Sequence, residues 1–307
     1  MKRRDFIHKS LQAGIATGAA VSLGGYGQLL ANTVYNNSIP YDLVAIRNGE
    51  PEQMYRRAMN AMGGISQYVK KGQRVVVKPN IGWDVVPELA ANTNPELVKA
   101  IVKSCLDAGA SAVYTFDHTC DDWKKCYRNS KLENAIEDAG GKVVPGNSER
   151  YYQEVEIPQG KRLKTTKVHE QIMEADVFIN VPILKNHGST KLTISMKNLM
   201  GIVWDRHYWH RNDLHQCIAD FSTWRKPDLN IIDAYRVMMK NGPRGRSESD
   251  VAKMKFLVMS DDMVAADAAA AKIFGMQPGN VPHIQHAHDM KVGNMNLQEQ
   301  EIGRIKM

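Results

Sequence analysis

The chain has only four cysteines in 307 residues, and no two of them form a C-x-x-C pair. That removes the standard zinc-ribbon and ferredoxin ligand spacings, so no iron–sulfur cluster is expected. Neither a G-x-G-x-x-G turn nor a P-loop is present, which disfavours a nucleotide-binding reading. No G-x-S-x-G elbow occurs, which disfavours that class of serine hydrolase. No block of five like charges exists, and Lys2, Arg3, Arg4 and Lys9 against Asp5 supply +3 of the net +7, leaving a dispersed +4. A nucleic-acid partner would call for a basic stripe, so none is expected. Long apolar runs are also missing. The weakly apolar Leu11–Leu23, rich in Ala and Gly, falls short of the roughly 20 residues a membrane helix needs. What is present is ordinary for a globular protein, with 43% hydrophobic and 24% charged residues.

The first 31 residues have the three regions of an export signal: a charged start, Lys2-Arg3-Arg4-Asp5-Phe6-Ile7-His8-Lys9, the apolar stretch, and a cleavage end at Leu29-Leu30-Ala31. The charged start resembles a twin-arginine (Tat) translocation signal. The resemblance implies an exported, periplasmic or extracytoplasmic protein that meets the Tat machinery and keeps no stable membrane span when mature. Residues 32–40 read as a polar linker, and 41–307 as one α/β domain with a soft subdivision near Tyr151. Cys120 and Cys126 lie six apart in a loop. Outside the cytoplasm they allow a disulfide, two free thiols or a shared metal site, and the spacing does not choose.

Apolar, β-rich runs alternate with helical patterns along the domain. Strands are predicted at Leu43–Ile46, Arg74–Val77, Ala112–Phe116, Lys142–Val144, Val177–Val181, Leu229–Ile232 and Phe256–Met259. Helices are predicted at Glu52–Tyr68, Pro95–Ala108, Lys131–Ala139, His169–Ala175, Asp213–Phe221 and Val264–Phe274. Several strands are continuous apolar runs, as expected when both sheet faces are covered. The fold class is therefore α/β, with a largely parallel sheet flanked by helices. Val155–Leu163, with Pro158 and Gly160, adds a small β-hairpin insertion.

In open α/β sheets ligands sit beyond the carboxyl ends of the strands. Here those ends carry Lys78-Pro79-Asn80, Asp117-His118-Thr119, Lys185-Asn186-His187-Gly188, Asp233 and Ser260-Asp261-Asp262. Together with Asn94-Pro95, Thr193 to Gly201 including Lys197-Asn198, Gly242-Pro243 and Asp267, these motifs resemble the family catalogued as domain of unknown function 362, from about Leu43 onward. The resemblance implies no reaction. Some family members carry ferredoxin-type cysteine clusters, a pattern absent from this chain. The layout is also distantly similar to the nickel-dependent lactate racemase group, and no nickel is assigned from that.

Lys78, Lys185 and Lys197 can form an anion-binding set with Asn80, Asn186 and Asn198 as hydrogen-bond partners. A lysine crowded by others loses pKa and can act as a base. The competing reading pairs these lysines with Asp117 and Asp233. Lys185, His187 and Lys197 are the candidate catalytic residues. Lys78, Asn80, Asn198, Trp204, Arg206 and Trp209 are candidates for binding substrate, the tryptophans by stacking. An aromatic packing cluster is the alternative for Trp204–Arg211. His207, His210 and Asp233 are the candidate ligands for a divalent transition metal. His283, His286 and His288 do not share one helix face and read as packing or solvated residues. The functional expectation is an enzyme acting on a small polar or anionic substrate by Lys/His acid–base or metal-assisted chemistry, of isomerase, lyase or hydrolase type. A ligand-binding protein and a metal or iron–sulfur redox protein are the alternatives.

Overall fold

The computed structural model describes residues 41–307. The expected signal (1–31) and linker (32–40) lie outside the described residues. The strands are β1 (Leu43–Arg47), β2 (Arg74–Pro79), β3 (Ala112–Thr115), β4 (Lys142–Val143), β5 (Tyr152–Glu156), β6 (Thr165–His169), β7 (Val177–Val181), β8 (Ile183–His187), β9 (Lys191–Thr193), β10 (Leu229–Met238), β11 (Val251–Ser260) and β12 (Ile302–Lys306). The helices are α1 (Pro51–Ala61), α2 (Pro95–Asp107), α3 (Trp123–Asn129), α4 (Leu132–Asp138), α5 (Glu170–Met173), α6 (Ser195–Asn198), α7 (Arg206–Arg211), α8 (Leu214–Phe221), α9 (Met263–Phe274) and α10 (Pro282–Asp289).

The main sheet runs β12-β1-β11-β10-β7-β2-β3-β4, with β8 also paired to β10 and to β9. β10, β7, β2, β3 and β4 pair in parallel, as the alternating pattern predicts. β11 runs antiparallel to both β1 and β10. The expected hairpin is the separate ribbon β5–β6, wider than predicted and starting beside Tyr151.

Both faces of the sheet are covered. Val75, Val77, Ile179 and Ile231 pack under α1, α2 and α4. Val76, Phe178, Ile232 and Val258 face the other way, towards α6, α8, α9 and α10. Capping explains the helix limits. Asn94 caps α2, accepting from Glu96 N at 3.0 Å, with Pro95 in the first turn. Asp262 does the same for α9. α1 stops well before the predicted Tyr68, because Gly63 and Gly64 turn the chain with φ of 85° and 87°.

One difference positions the site. Pro182 and Gly188 make 182–188 look like a loop, yet Ile183–His187 continues the sheet as β8 after a break at Pro182. β10 pairs first with β7 and then with β8. The strand order reverses at β2, which has β3 and β4 on one side and β7 and β10 on the other. A crevice is expected at such a reversal.

Candidate functional site

β2 carries Lys78 one residue before its end, and the neighbours of Lys78 across the sheet are Asn180 on β7, Asn230 on β10 and Ser260 on β11, in one register. All four are fully buried. Asn180 Nδ2 donates to Asn230 Oδ1 at 3.1 Å, and Ser260 Oγ donates to the Asp42 carbonyl at 2.7 Å. This polar row lies on the face that carries α6. Asn180 also donates to the Ser195 carbonyl at 3.0 Å and accepts from Asn198 Nδ2 at 2.9 Å. Buried amides persist only when bonded, so the row ties α6 to the sheet centre.

Asn198 is the hub of the lysine cluster. Its Oδ1 accepts from Lys78 Nζ at 3.0 Å and from Asn80 Nδ2 at 3.0 Å. Asn80 Oδ1 in turn accepts from Lys185 Nζ at 3.0 Å. Lys185 Nζ also donates to the Ala91 carbonyl. On the other side, Lys78 Nζ lies 3.1 Å from Asp117 Oδ2 in a buried ion pair. The same Asp117 oxygen accepts from Ile81 N at 2.7 Å. Gly201 seals this pair, since a Cβ there would lie 1.9 Å from Asp117 Oδ1 and 2.5 Å from Lys78 Nζ. Of the two carboxylates that could pair with the lysines, Asp117 does so, and with Lys78 alone.

Lys197 sits in α6 beside Asn198. Its amine makes no hydrogen bond or ion pair among the described residues. α6 is held from below by Asp267 of α9, whose two oxygens accept from Ser195 N at 2.6 Å and Met196 N at 3.1 Å. Burial lowers Lys185 to about 7, with Lys197 and Lys78 adding repulsion. Burial likewise lowers Lys197 to about 8, reinforced by Arg206 and Lys78. Burial also lowers Lys78, opposed by Asp117. These amines line a cavity of about 50 Å³ together with His118, Cys120, His187 and Arg206.

His187 borders the cavity, but its Nδ1 accepts from Ser189 N at 3.1 Å and Thr190 N at 3.3 Å. Burial and the nearby lysines hold it far below the ordinary histidine value. It is therefore a neutral imidazole whose Nε2 carries the proton, a donor rather than a base at neutral pH. Arg206 donates to the His118 carbonyl at 2.8 Å and the Thr119 carbonyl at 2.9 Å, clamping the loop after β3. Asn186 is drawn away from the lysines and accepts from Gly242 N at 3.1 Å.

The remaining candidates disperse. Trp209 is wholly buried against Phe221, with centroids 5.3 Å apart, so it is a packing residue and not an open stacking platform. Trp204 stacks on His118 at 4.7 Å with planes 3° apart. The His207–His210–Asp233 metal set is not assembled. Among the described residues no three His, Cys, Asp or Glu side chains come together in a group able to hold a metal. Asp233 is buried and bonded instead, accepting from Asn94 N at 2.8 Å and Tyr235 N at 3.0 Å, while His207 and His210 are exposed on α7. Cys120 is an exposed free thiol and Cys126 a buried one. His283 packs fully buried, its Nδ1 3.1 Å from that of His215.

Sequence reasoning weighed Cys120 only as a disulfide, free-thiol or metal residue and not as part of the pocket wall, and it missed Asn180, Asn230 and the role of Gly201. Only Gly201 had left a signal, as a glycine closing the Lys197-Asn198 motif.

The fold and motifs define a protein family before they define a reaction. Residues 75–272 match the family model described as "Domain of unknown function (DUF362)", and the chain belongs to that family. It is 26% identical over 235 residues to thylakoid-associated protein sll1697 of Synechocystis sp., covering 74% of this chain and 71% of that one. It is also similar to the lactate racemase apoprotein of Thermoanaerobacterium thermosaccharolyticum, with a TM-score of 0.44 at 10% identity, over 80% of this chain and 56% of that one. This chain thus spans little more than half the length of that structure.

Proposed function

We propose that the protein is an exported enzyme that seats the anionic head of a small organic molecule in the lysine pocket and moves a proton at an adjacent carbon. The carrying observation is charge balance. With Lys185 neutral, Lys78, Lys197 and Arg206 still bring positive charge to one small cavity, with Asp117 as the only carboxylate among its lining residues. Buried cations without counter-charge are costly, so the pocket favours a ligand that brings negative charge.

The roles follow from the bonds already made. Neutral Lys185 donates its two N–H groups to Asn80 and Ala91, which leaves the nitrogen lone pair as its free valence. With a pKa of about 7 it is poised to act as a general base. Lys197, free of protein partners among the described residues, holds the anion. The proton passes from substrate carbon to Lys185 Nζ, and the electron pair moves into the adjacent carbonyl or carboxylate. Lys197 and the Nε2–H of His187 stabilise that developing charge. Returning the proton gives an isomer, and losing a leaving group gives elimination.

The test is proton NMR in D2O with a panel of α-hydroxy, α-keto and α-amino carboxylates. Loss of an α-proton signal is expected for one class, with the rate cut about 10²–10⁴-fold in Lys185→Met. Anion binding without exchange across the panel would make this a binding protein. For export, replacing Arg3 and Arg4 by lysine should retain the protein in the cytoplasm, as judged by cell fractionation.

A further inference from the structure

The pocket is too small for a whole substrate. Its volume of about 50 Å³ is only about a sixth of the smallest organic-ligand sites, roughly 300 Å³, so it accepts a head group and no more. Beside it lies a groove of about 630 Å³ between the β5–β6 ribbon and α7. That falls within the roughly 300–1,000 Å³ of organic-ligand sites. His118 and Arg206 line both spaces, so the two adjoin through a shared wall.

The groove has donors to offer. The guanidinium of Arg162 is exposed and makes no hydrogen bond or ion pair among the described residues. Trp204 and Tyr208 supply aromatic surface on the groove walls.

We infer that the groove is the second half of the substrate site. The ligand is an elongated organic anion, with a carboxylate or phosphate head in the lysine pocket and a ring-bearing, acceptor-rich body in the groove. This rests on the anion-binding reading of the pocket. It adds that discrimination between substrates is made by the body, against Arg162, Trp204 and Tyr208, and not by the head.

Isothermal titration of the full chain with two graded series tests it: inorganic phosphate, phenyl phosphate and adenosine 5′-monophosphate, and acetate, phenylacetate and indole-3-acetate. In one series the ringed members should bind at least ten-fold tighter than the bare head, and that series identifies the head. Thr165→Trp fills the groove from an exposed position on β6. It should return ringed probes to within two-fold of the bare head while leaving head affinity and melting temperature unchanged. Lys197→Met should weaken head and ringed probes together. A gain that is absent in both series, or that survives Thr165→Trp, overturns the inference while the pocket reading stands. If neither head binds and Lys197→Met changes nothing, the pocket reading fails and the bipartite site fails with it.

Discussion

The lysine pocket and the groove beside it are made from opposite kinds of parts. The pocket is built from strand ends and one short helix. Its lysine and asparagine side chains are tied to one another except at Lys197, whose amine, like the Nε2–H of His187, has no partner among the described residues. Lys78 is committed to Asp117 and Asn198, Lys185 to Asn80 and Ala91, and α6 to Asp267. The groove is built from a two-stranded ribbon and the six-residue α7, and carries exposed or unbonded donors. The first arrangement fixes charge in place, as chemistry requires when charge develops in the transition state. The second can vary its walls without disturbing the fold, as ligand selection requires. Substitutions in the pocket should therefore cost stability and rate together, and those in the groove should change selection alone.

Lys78→Met presses this contrast hardest. It leaves Asp117 buried beneath Gly201 with a backbone amide as its remaining partner, and breaking a buried pair in this way costs about 3–5 kcal/mol. Chemical denaturation should show that loss, and wild-type stability in the variant would refute a structural role for the pair. Gly201→Ala should act in the same direction, because its methyl group would overlap Asp117 and Lys78.

The pH dependence comes next. Lys185 must be neutral to accept a proton and Lys197 charged to hold the anion. Turnover therefore rises as pH passes about 7 and falls as it passes about 8, giving a narrow bell. His187 contributes no limb, because it stays neutral throughout that range. An exchange rate that climbs steadily from about pH 6 to about pH 10 would overturn the division of labour between the two lysines, since Lys197 would then be losing its charge without effect.

Asp267 should show a smaller, separate effect. Burial raises its carboxyl to about 7 from an ordinary 3.8. The folded chain keeps a proton there after the unfolded chain has released it. The stability it contributes is full below about 3.8 and is lost as pH rises through about 7. Asp267→Asn should flatten that slope and, by loosening α6, weaken anion binding several-fold. An unchanged slope would mean that another group sets it.

The contrast also explains what the sequence could reveal. Strand ends are legible because a buried apolar run that stops at Lys or Asp marks both an element and its exit, and sheet topology then gathers those ends. Lys78 and Lys185 are visible in that way, and Lys197 through the motif that follows them. Asn180 and Asn230 are not, because each is one polar residue inside an apolar strand, and its meaning lies in register with strands distant in the chain. β8 is hidden by its flanking Pro182 and Gly188. The Trp204–Arg211 segment misleads for a geometric reason. Side chains close in sequence on a helix point about 100° apart, so Trp209 turns into the core while His207 and His210 stay at the surface.

The smallest effect is expected in the groove, where it sharpens the contrast most cleanly. Arg162 is exposed, and its guanidinium has no partner among the described residues, so Arg162→Ala removes nothing the fold uses. The melting temperature should stay within about 2 °C of wild type, as for surface changes away from buried networks. Exchange of the smallest accepted carboxylate should also be unchanged, because the head does not reach this side chain. Only a substrate with an acceptor-bearing body should suffer, through a raised KM at constant kcat, since the lost bond would serve ground state and transition state alike. A fall in kcat for the smallest substrate would show that the groove and the pocket are one chemical unit, and that the division drawn between them is false.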